Sequence, residues 1–265
     1  MASPMEQFQI KKVIDLPDFT IPGTNFTVDM AITNSSLAMF AAAGLLILFF
    51  AILTASPKVV PGKFQVVGEG VFTFIDDLAE SVMGHEGRKF FPFIFTIFTF
   101  VLTMNLLGLI PGNFTATSQL AVTATLAVLV FGLVLIIGFW KHGLGFFKLF
   151  APSGMPWYML IFLFPIELFS FLLRPVTLSL RLFGNMLGGH VALKVFAGFI
   201  IALGGMAFAG GFGLHNLGIA GAVLSMGGVV ALTALELLVA ALQAFVFAIL
   251  TTIYLNDAVT AGAGH

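Results

Sequence analysis

Residues 155–206 read MPWYMLIFLFPIELFSFLLRPVTLSLRLFGNMLGGHVALKVFAGFIIALGGM, and only four of these positions, Glu167, Arg174, Arg181 and Lys194, carry a formal charge. A second run of the same kind, about His215 to Leu255, contains Glu236 as its sole Asp, Glu, Lys or Arg. At ~1.5 Å per residue each run would extend on the order of 60 to 75 Å as a helix, about twice the thickness of a bilayer core. Two such helices must tilt strongly, bend or partly leave the membrane. Pro165 and Pro175 offer bend points, and Gly204, Gly205, Gly210, Gly211 and Gly213 are expected to supply the loop between the runs.

The remainder of the chain agrees. Of 265 residues 59% are apolar and 9% charged, and the mean hydropathy is +1.10. That charged fraction is far below the roughly 25% of a soluble domain. Phe is used 32 times against two Tyr and two Trp, as suits hydrocarbon, where a ring without polar atoms needs no partner. The net charge of -1 argues against nucleic acid as a partner. The absence of cysteine excludes disulfides, thiolate metal sites and thiol nucleophiles. Composition and spacing predict an all-α membrane protein with five transmembrane helices and one amphipathic surface helix.

The expected order begins with an outer-side tail, 1–36, polar, containing Pro4, Pro17 and Pro22, and without the apolar core of a signal peptide. A first span, 37–56, is followed at once by Lys58 and Lys63, which by the positive-inside rule places that end inside and the N-terminus outside. Over 64–84, Phe64, Val67, Val71, Phe74, Ile75, Leu78 and Val82 recur at helical spacing while Glu69, Asp76, Asp77 and Glu80 take other faces, predicting a surface helix. Its acidic polar face suits a protein partner better than anionic lipid. Spans at 90–110 and 119–140 follow, separated by Pro111-Gly112-Asn113 and Thr115 to Gln119. Lys141, His142 and Lys148 mark a second inner end, and the long helices 155–206 and 215–256 complete a single membrane domain, 37–265, with its C-terminus inside.

Ionisable groups inside such helices cost several kcal/mol unless paired or watered, so each is a functional candidate. Glu167, Arg174 and Arg181 are seven apart and share one helix face. His190, nine residues past Arg181, lies about 180° round. If the two long helices form an antiparallel hairpin centred near 212–213, facing residues have numbers summing to about 425. His190 with Glu236 and Arg181 with Gln243 both meet that condition. Arg174 and Lys194 lie nearer helix ends, where a long side chain can snorkel. His85, His142, His215 and His265 sit at segment ends, with no spacing that suggests a metal site.

Arg174-Pro175-Val176-Thr177-Leu178-Ser179-Leu180-Arg181-Leu182-Phe183-Gly184-Asn185-Met186 resembles the signature of the subunit a family of F-type ATP synthases. Asn105-Leu106-Leu107-Gly108-Leu109-Ile110-Pro111 resembles a second signature of that family, and the likeness runs from about Lys58 to the end. The resemblance implies a proton-translocating stator subunit working against a rotating ring of c subunits. It implies partnership with peripheral-stalk b-type subunits and the remaining ATP synthase subunits, and no cofactor. Arg181 would be the family's essential arginine, Asn185 its neighbour, Gln243 the glutamine of the last helix, and Glu167 an acid near the inner proton exit. Some bacterial members have Glu at the position of His190 and His at that of Glu236; here the two are exchanged, as in mitochondrial-type members. The expected location is a bacterial inner membrane, with the mitochondrial inner membrane as the alternative.

No Gly-x-x-x-x-Gly-Lys loop occurs, so a nucleotide site is not expected in this chain. A secondary transporter or channel with a midplane charge site is the rival reading; it would favour internal repeats, and none is visible. An intramembrane protease would need His-Glu-x-x-His or Gly-x-Ser-x-Gly, neither of which is present.

Overall fold

The computed structural model describes residues 9–15, 19–20, 27–28, 31–55, 62–110, 112–150, 157–209 and 212–260. The described residues form six α-helices: α1 Asn34–Ala55, α2 Lys63–Met83, α3 Gly87–Gly108, α4 Leu120–His142, α5 Trp157–Ala209 and α6 Phe212–Thr260. Among the described residues five helical stretches are long and apolar enough to cross a membrane: Asn34–Ala55, Lys63–Gly108 (α2 with α3), Leu120–His142, Tyr158–Met206 and Gly218–Thr260. The protein is an all-α membrane protein.

Three features depart from the sequence reading. The tail 1–36 holds short antiparallel ladders, β1 Lys12–Ile14 with β4 Ile32–Thr33 and β2 Phe19–Thr20 with β3 Thr27–Val28. Asn34 joins the first ladder to α1: its side chain accepts from the Lys11 N–H at 3.1 Å and donates to the Gln9 carbonyl at 3.1 Å. These pairings are too short and local to leave a period-2 pattern. Secondly, Gly204 and Gly205 lie inside α5 and Gly213 inside α6, whereas Gly210 and Gly211 lie outside the described residues. Buried among apolar neighbours or lipid, a helix satisfies its own backbone groups, and that outweighs the ~1 kcal/mol preference of a glycine for leaving it. The third is a 3-10 segment, Gly143–Phe150, where the sequence suggested only a charged inner loop.

The chain forms two compact units, 1–42 with 104–119 and 183–242, and 43–103 with 120–182 and 243–265. In the second unit a conventional apolar core joins Ile75 and Ala79 of α2, Ile94 and Val101 of α3, Val130 and Val134 of α4, Phe171 and Leu178 of α5, and Phe247 and Leu255 of α6. The 3-10 segment belongs to this core: Phe146 and Phe150 are buried, and Phe146 packs where a Cβ on Gly138 of α4 would stand. Helix α2 buries Gly68, Ile75, Ala79 and Met83. Phe64, Val67 and Phe74, expected on the same stripe, stay open, because the apolar stripe is wider than the face that meets α3. Gly84 ends α2 at φ 58°, a left-handed conformation that glycine adopts without strain.

The first unit buries a different mixture. Alongside Met104, Ala116, Met186 and Ala240 it encloses Asn105, Thr115, Thr117, Ser118, His190 and Glu236. Helix α1 buries only Ser35 and Ala42, a pattern tolerable in lipid, where apolar side chains gain little by leaving their solvent.

Candidate functional site

Two buried polar residues of the first unit, Thr115 and Glu236, meet His190 of α5. Its Nδ1 faces Oε1 of Glu236 on α6 at 3.8 Å, with the two side chains 10% and 4% exposed. That separation is too long for a hydrogen bond and short enough for a single water to relay a proton. Both carboxyl oxygens of Glu236 are buried without a hydrogen-bond donor among the described residues. Such a group costs several kcal/mol in a purely structural role, so its retention points to chemistry.

Two glycines make the approach possible. A Cβ on Gly189 would collide with the Glu236 carboxyl group, so the bare backbone of α5 at that point lets α6 bring its acid alongside the imidazole. Gly108, the last residue of α3, plays the same part for Thr115, whose Cγ2 would lie 2.6 Å from a Cβ there. Thr115 Oγ1 lies 2.9 Å from His190 Nε2 and donates to the Gly108 carbonyl at 3.2 Å.

The segment carrying Thr115 continues into a single 3-10 turn, Ala116–Ser118, which is buried although it joins two helices. Connections normally run over the surface, where their backbone groups meet water. Here the turn bonds itself: Ser118 N–H donates to the Thr115 carbonyl at 3.2 Å and Ser118 Oγ to the same oxygen at 2.7 Å. Asn105 of α3 donates from Nδ2 to the Ala240 carbonyl of α6 at 3.1 Å, while its Oδ1 and the Thr117 hydroxyl are buried without a partner among the described residues. The first unit thus buries several hydroxyls and amides together with one ionisable pair. Asn185, about a turn and a half before His190 on α5, is exposed, and Lys194, one turn beyond His190, is half-buried.

The other expected residues belong to the second unit. Arg181 is exposed on α5, and no carboxylate pairs with it among the described residues; Gln243 of α6 is buried, and Glu167 is half-buried. Arg174 has a clear structural place: Nη1 donates to Asp257 Oδ2 at 2.8 Å, and its guanidinium lies 5.2 Å from the Phe171 ring centre and 4.9 Å from that of Tyr254. Among the described residues no group of three or more His, Asp or Glu is placed to hold a metal ion.

The sequence reading brought out His190 and Glu236 and missed Thr115, Thr117, Gly189 and Asp257. The signal for Gly189 was available: glycine in a helix interior costs ~1 kcal/mol relative to alanine, and one placed directly before a buried histidine marks a close approach. Thr115 to Gln119 was polar enough to read as a break between spans, and nothing local says that such a break is buried.

Comparison with known proteins agrees with this architecture. Residues 36–256 match the family described as ATP synthase A chain. The chain is 51% identical over 262 residues to ATP synthase subunit a of Rhodopseudomonas palustris strain BisB18, covering 99% of this chain and 100% of that protein. It is 48% identical over 262 residues to ATP synthase subunit a of Allorhizobium ampelinum, covering 99% and 98%, and 49% identical over 259 residues to that of Chelativorans sp. strain BNC1, covering 98% of each. With its signatures, its helices and nearly its whole length accounted for, the chain belongs to the ATP synthase A chain family, the subunit a of bacterial ATP synthases.

Proposed function

We propose that this chain is the non-catalytic, proton-translocating membrane subunit of an ATP synthase, forming two half-channels against a rotating c ring and held by peripheral-stalk b-type subunits. The observation that carries the reading is Arg181, a permanent cation exposed on a 53-residue apolar helix. Leu173, Val176 and Leu180 of the same helix are exposed too, so α5 presents a largely apolar surface on the stretch before the guanidinium. A bare charge on such a surface is costly in lipid, and a partner bringing a carboxylate past it removes the cost.

The chemistry follows. A ring carboxyl crosses lipid neutral and ionises where a cation waits. The guanidinium keeps its charge at any working pH, so it holds the ionised ring site while refusing to pass protons itself. His190 and Glu236 line the outer half-channel as relays, Glu167 borders the inner exit, and Asn185 and Gln243 shape the polar surroundings of Arg181. The chain sits in the bacterial inner membrane with its N-terminus outside and C-terminus inside, and nucleotide chemistry resides in other subunits.

Arg181→Ala is expected to abolish proton-driven ATP synthesis in membranes that still contain assembled complex, and Arg181→Lys to restore only part of it, since an ammonium is a point charge with a shiftable pKa. Parental synthesis rates with Arg181→Ala would overturn the proposal.

A further inference from the structure

We propose that Thr115 is a positioning residue that fixes the tautomer of His190, holding the proton on Nε2 and turning the unprotonated Nδ1 toward Glu236. The inference rests on the relay reading of His190 and Glu236 and deepens it, because the direction in which a neutral imidazole accepts a proton depends on which nitrogen is already occupied.

In a continuing helix the Gly108 carbonyl would accept from the N–H of residue 112, but the chain turns away there, Gly112 having φ 91°. Thr115 Oγ1 supplies a donor instead, at 3.2 Å. A hydroxyl has one proton to give and lone pairs to receive with. With its proton on the Gly108 carbonyl, Thr115 meets His190 Nε2, 2.9 Å away, as an acceptor, and the short contact is favourable only if Nε2 carries hydrogen. The neutral ring then presents its lone pair at Nδ1, the atom 3.8 Å from Glu236 Oε1.

This arrangement fixes which ring atom takes the proton. A proton leaving the Glu236 carboxyl group, directly or through one water, forms the Nδ1–H bond, leaving a carboxylate and an imidazolium whose Nε2–H is still held by Thr115. Release to the next acceptor breaks the same Nδ1–H bond and returns the ring to its starting tautomer, so no ring rotation is needed between cycles. With the opposite tautomer Nδ1 would already carry hydrogen, and the ring could only donate toward Glu236. The Gly108 backbone serves the same end, since a side chain there would occupy the place of Thr115.

The test uses the assembled complex in inverted membrane vesicles, reading ATP-driven proton pumping per assembled complex. Thr115→Val keeps the shape and removes the hydroxyl; Thr115→Ser keeps the hydroxyl and removes the methyl. Thr115→Val is expected to slow pumping by about fivefold, the factor by which one hydrogen bond biases an equilibrium, and Thr115→Ser by less than about twofold. In a His190→Ala background Thr115→Val is expected to add nothing, because its effect passes through the imidazole. Parental pumping by Thr115→Val, with His190→Ala and Glu236→Ala both slow, would overturn the role of Thr115 and leave the relay standing. Thr115→Ser as slow as Thr115→Val, or an added loss in the His190→Ala background, would show a packing role and overturn it too. Parental pumping by His190→Ala and Glu236→Ala would remove the relay and this inference together. Should Thr115→Val not assemble, nitrogen-15 NMR of histidine-labelled parental complex, with His190→Gln as the difference sample, reads the tautomer directly: hydrogen on Nε2 is expected, and hydrogen on Nδ1 would overturn the proposal.

Discussion

Glu236 and Asp257 stand 21 residues apart on α6, one in each compact unit, and their surroundings differ in kind. Asp257, 30% exposed, is held by Arg174 at 2.8 Å, and the guanidinium is itself sandwiched near Phe171 and Tyr254. Other polar groups of that unit are paired at short range: Thr123 and Ser179 share a hydroxyl contact at 3.2 Å, His142 meets the Val259 carbonyl at 2.9 Å, and the Thr251 and Thr252 hydroxyls donate to carbonyls one turn back on α6. Glu236 is more deeply buried, at 4%, yet its closest charged or chargeable partner stands 3.8 Å off and its oxygens lack donors among the described residues. A polar group that holds helices together is satisfied in place. One that moves a proton is left short of satisfaction, so that gaining and losing the proton are both affordable in energy.

The contrast can be broken most severely at Gly189. Gly189→Val places branched carbon against the Glu236 carboxyl group and is expected to reduce pumping per assembled complex by more than about tenfold, because overpacking of ~1–3 kcal/mol must be relieved by moving the acid from the imidazole. Pumping near the parental rate would mean that α6 yields without disturbing the pair. The other side of the contrast is probed at Arg174. Removing one partner of a buried ion pair costs about 3–5 kcal/mol and of an exposed one about 0–1, and this pair, 21% and 30% exposed, lies between. Arg174→Ala is therefore expected to lower the thermal stability of the subunit by about 1–3 kcal/mol without altering the pumping rate of surviving complexes, while Arg174→Lys, which loses the planar stacking, falls between the two. A changed per-complex rate would move Arg174 from structure to transport. The mildest change is Thr123→Val, which removes one shared hydroxyl contact and is expected to cost about 1 kcal/mol in stability and nothing in transport. Circular dichroism melts and vesicle pumping separate the two quantities in each case.

Much of this organisation was legible in the sequence because lipid is an undemanding solvent: length and apolarity alone delimit spans, and ionisable residues inside them stand out. The hairpin arithmetic found His190 with Glu236, whose numbers sum to 426, close to the expected register. It did not find Asp257 for Arg174, because that pair sums to 431, a slide of nearly two turns along α6 that packed, curved helices and a long arginine side chain introduce and a straight-rod count lacks. The role of Thr115 was hidden for another reason. A short polar segment reads as a surface break, and only the tertiary fold turns its hydroxyl inward against a helix distant in sequence. The same limit concealed the 3-10 segment at Gly143–Phe150, whose local helicity depends on Phe146 finding the gap at Gly138.

The central claim is that the under-satisfied carboxyl group carries protons and the satisfied one carries structure. It is tested most directly by measuring ATP-driven proton pumping per assembled complex in inverted vesicles for Glu236→Gln and Asp257→Asn side by side. The account predicts that Glu236→Gln assembles normally and pumps at least about tenfold more slowly without becoming leaky, as general acid–base groups contribute ~100-fold or more where no other route exists. Asp257→Asn is predicted to lose complex while each remaining complex pumps at the parental rate. Parental pumping by Glu236→Gln, or a per-complex loss confined to Asp257→Asn, would contradict it.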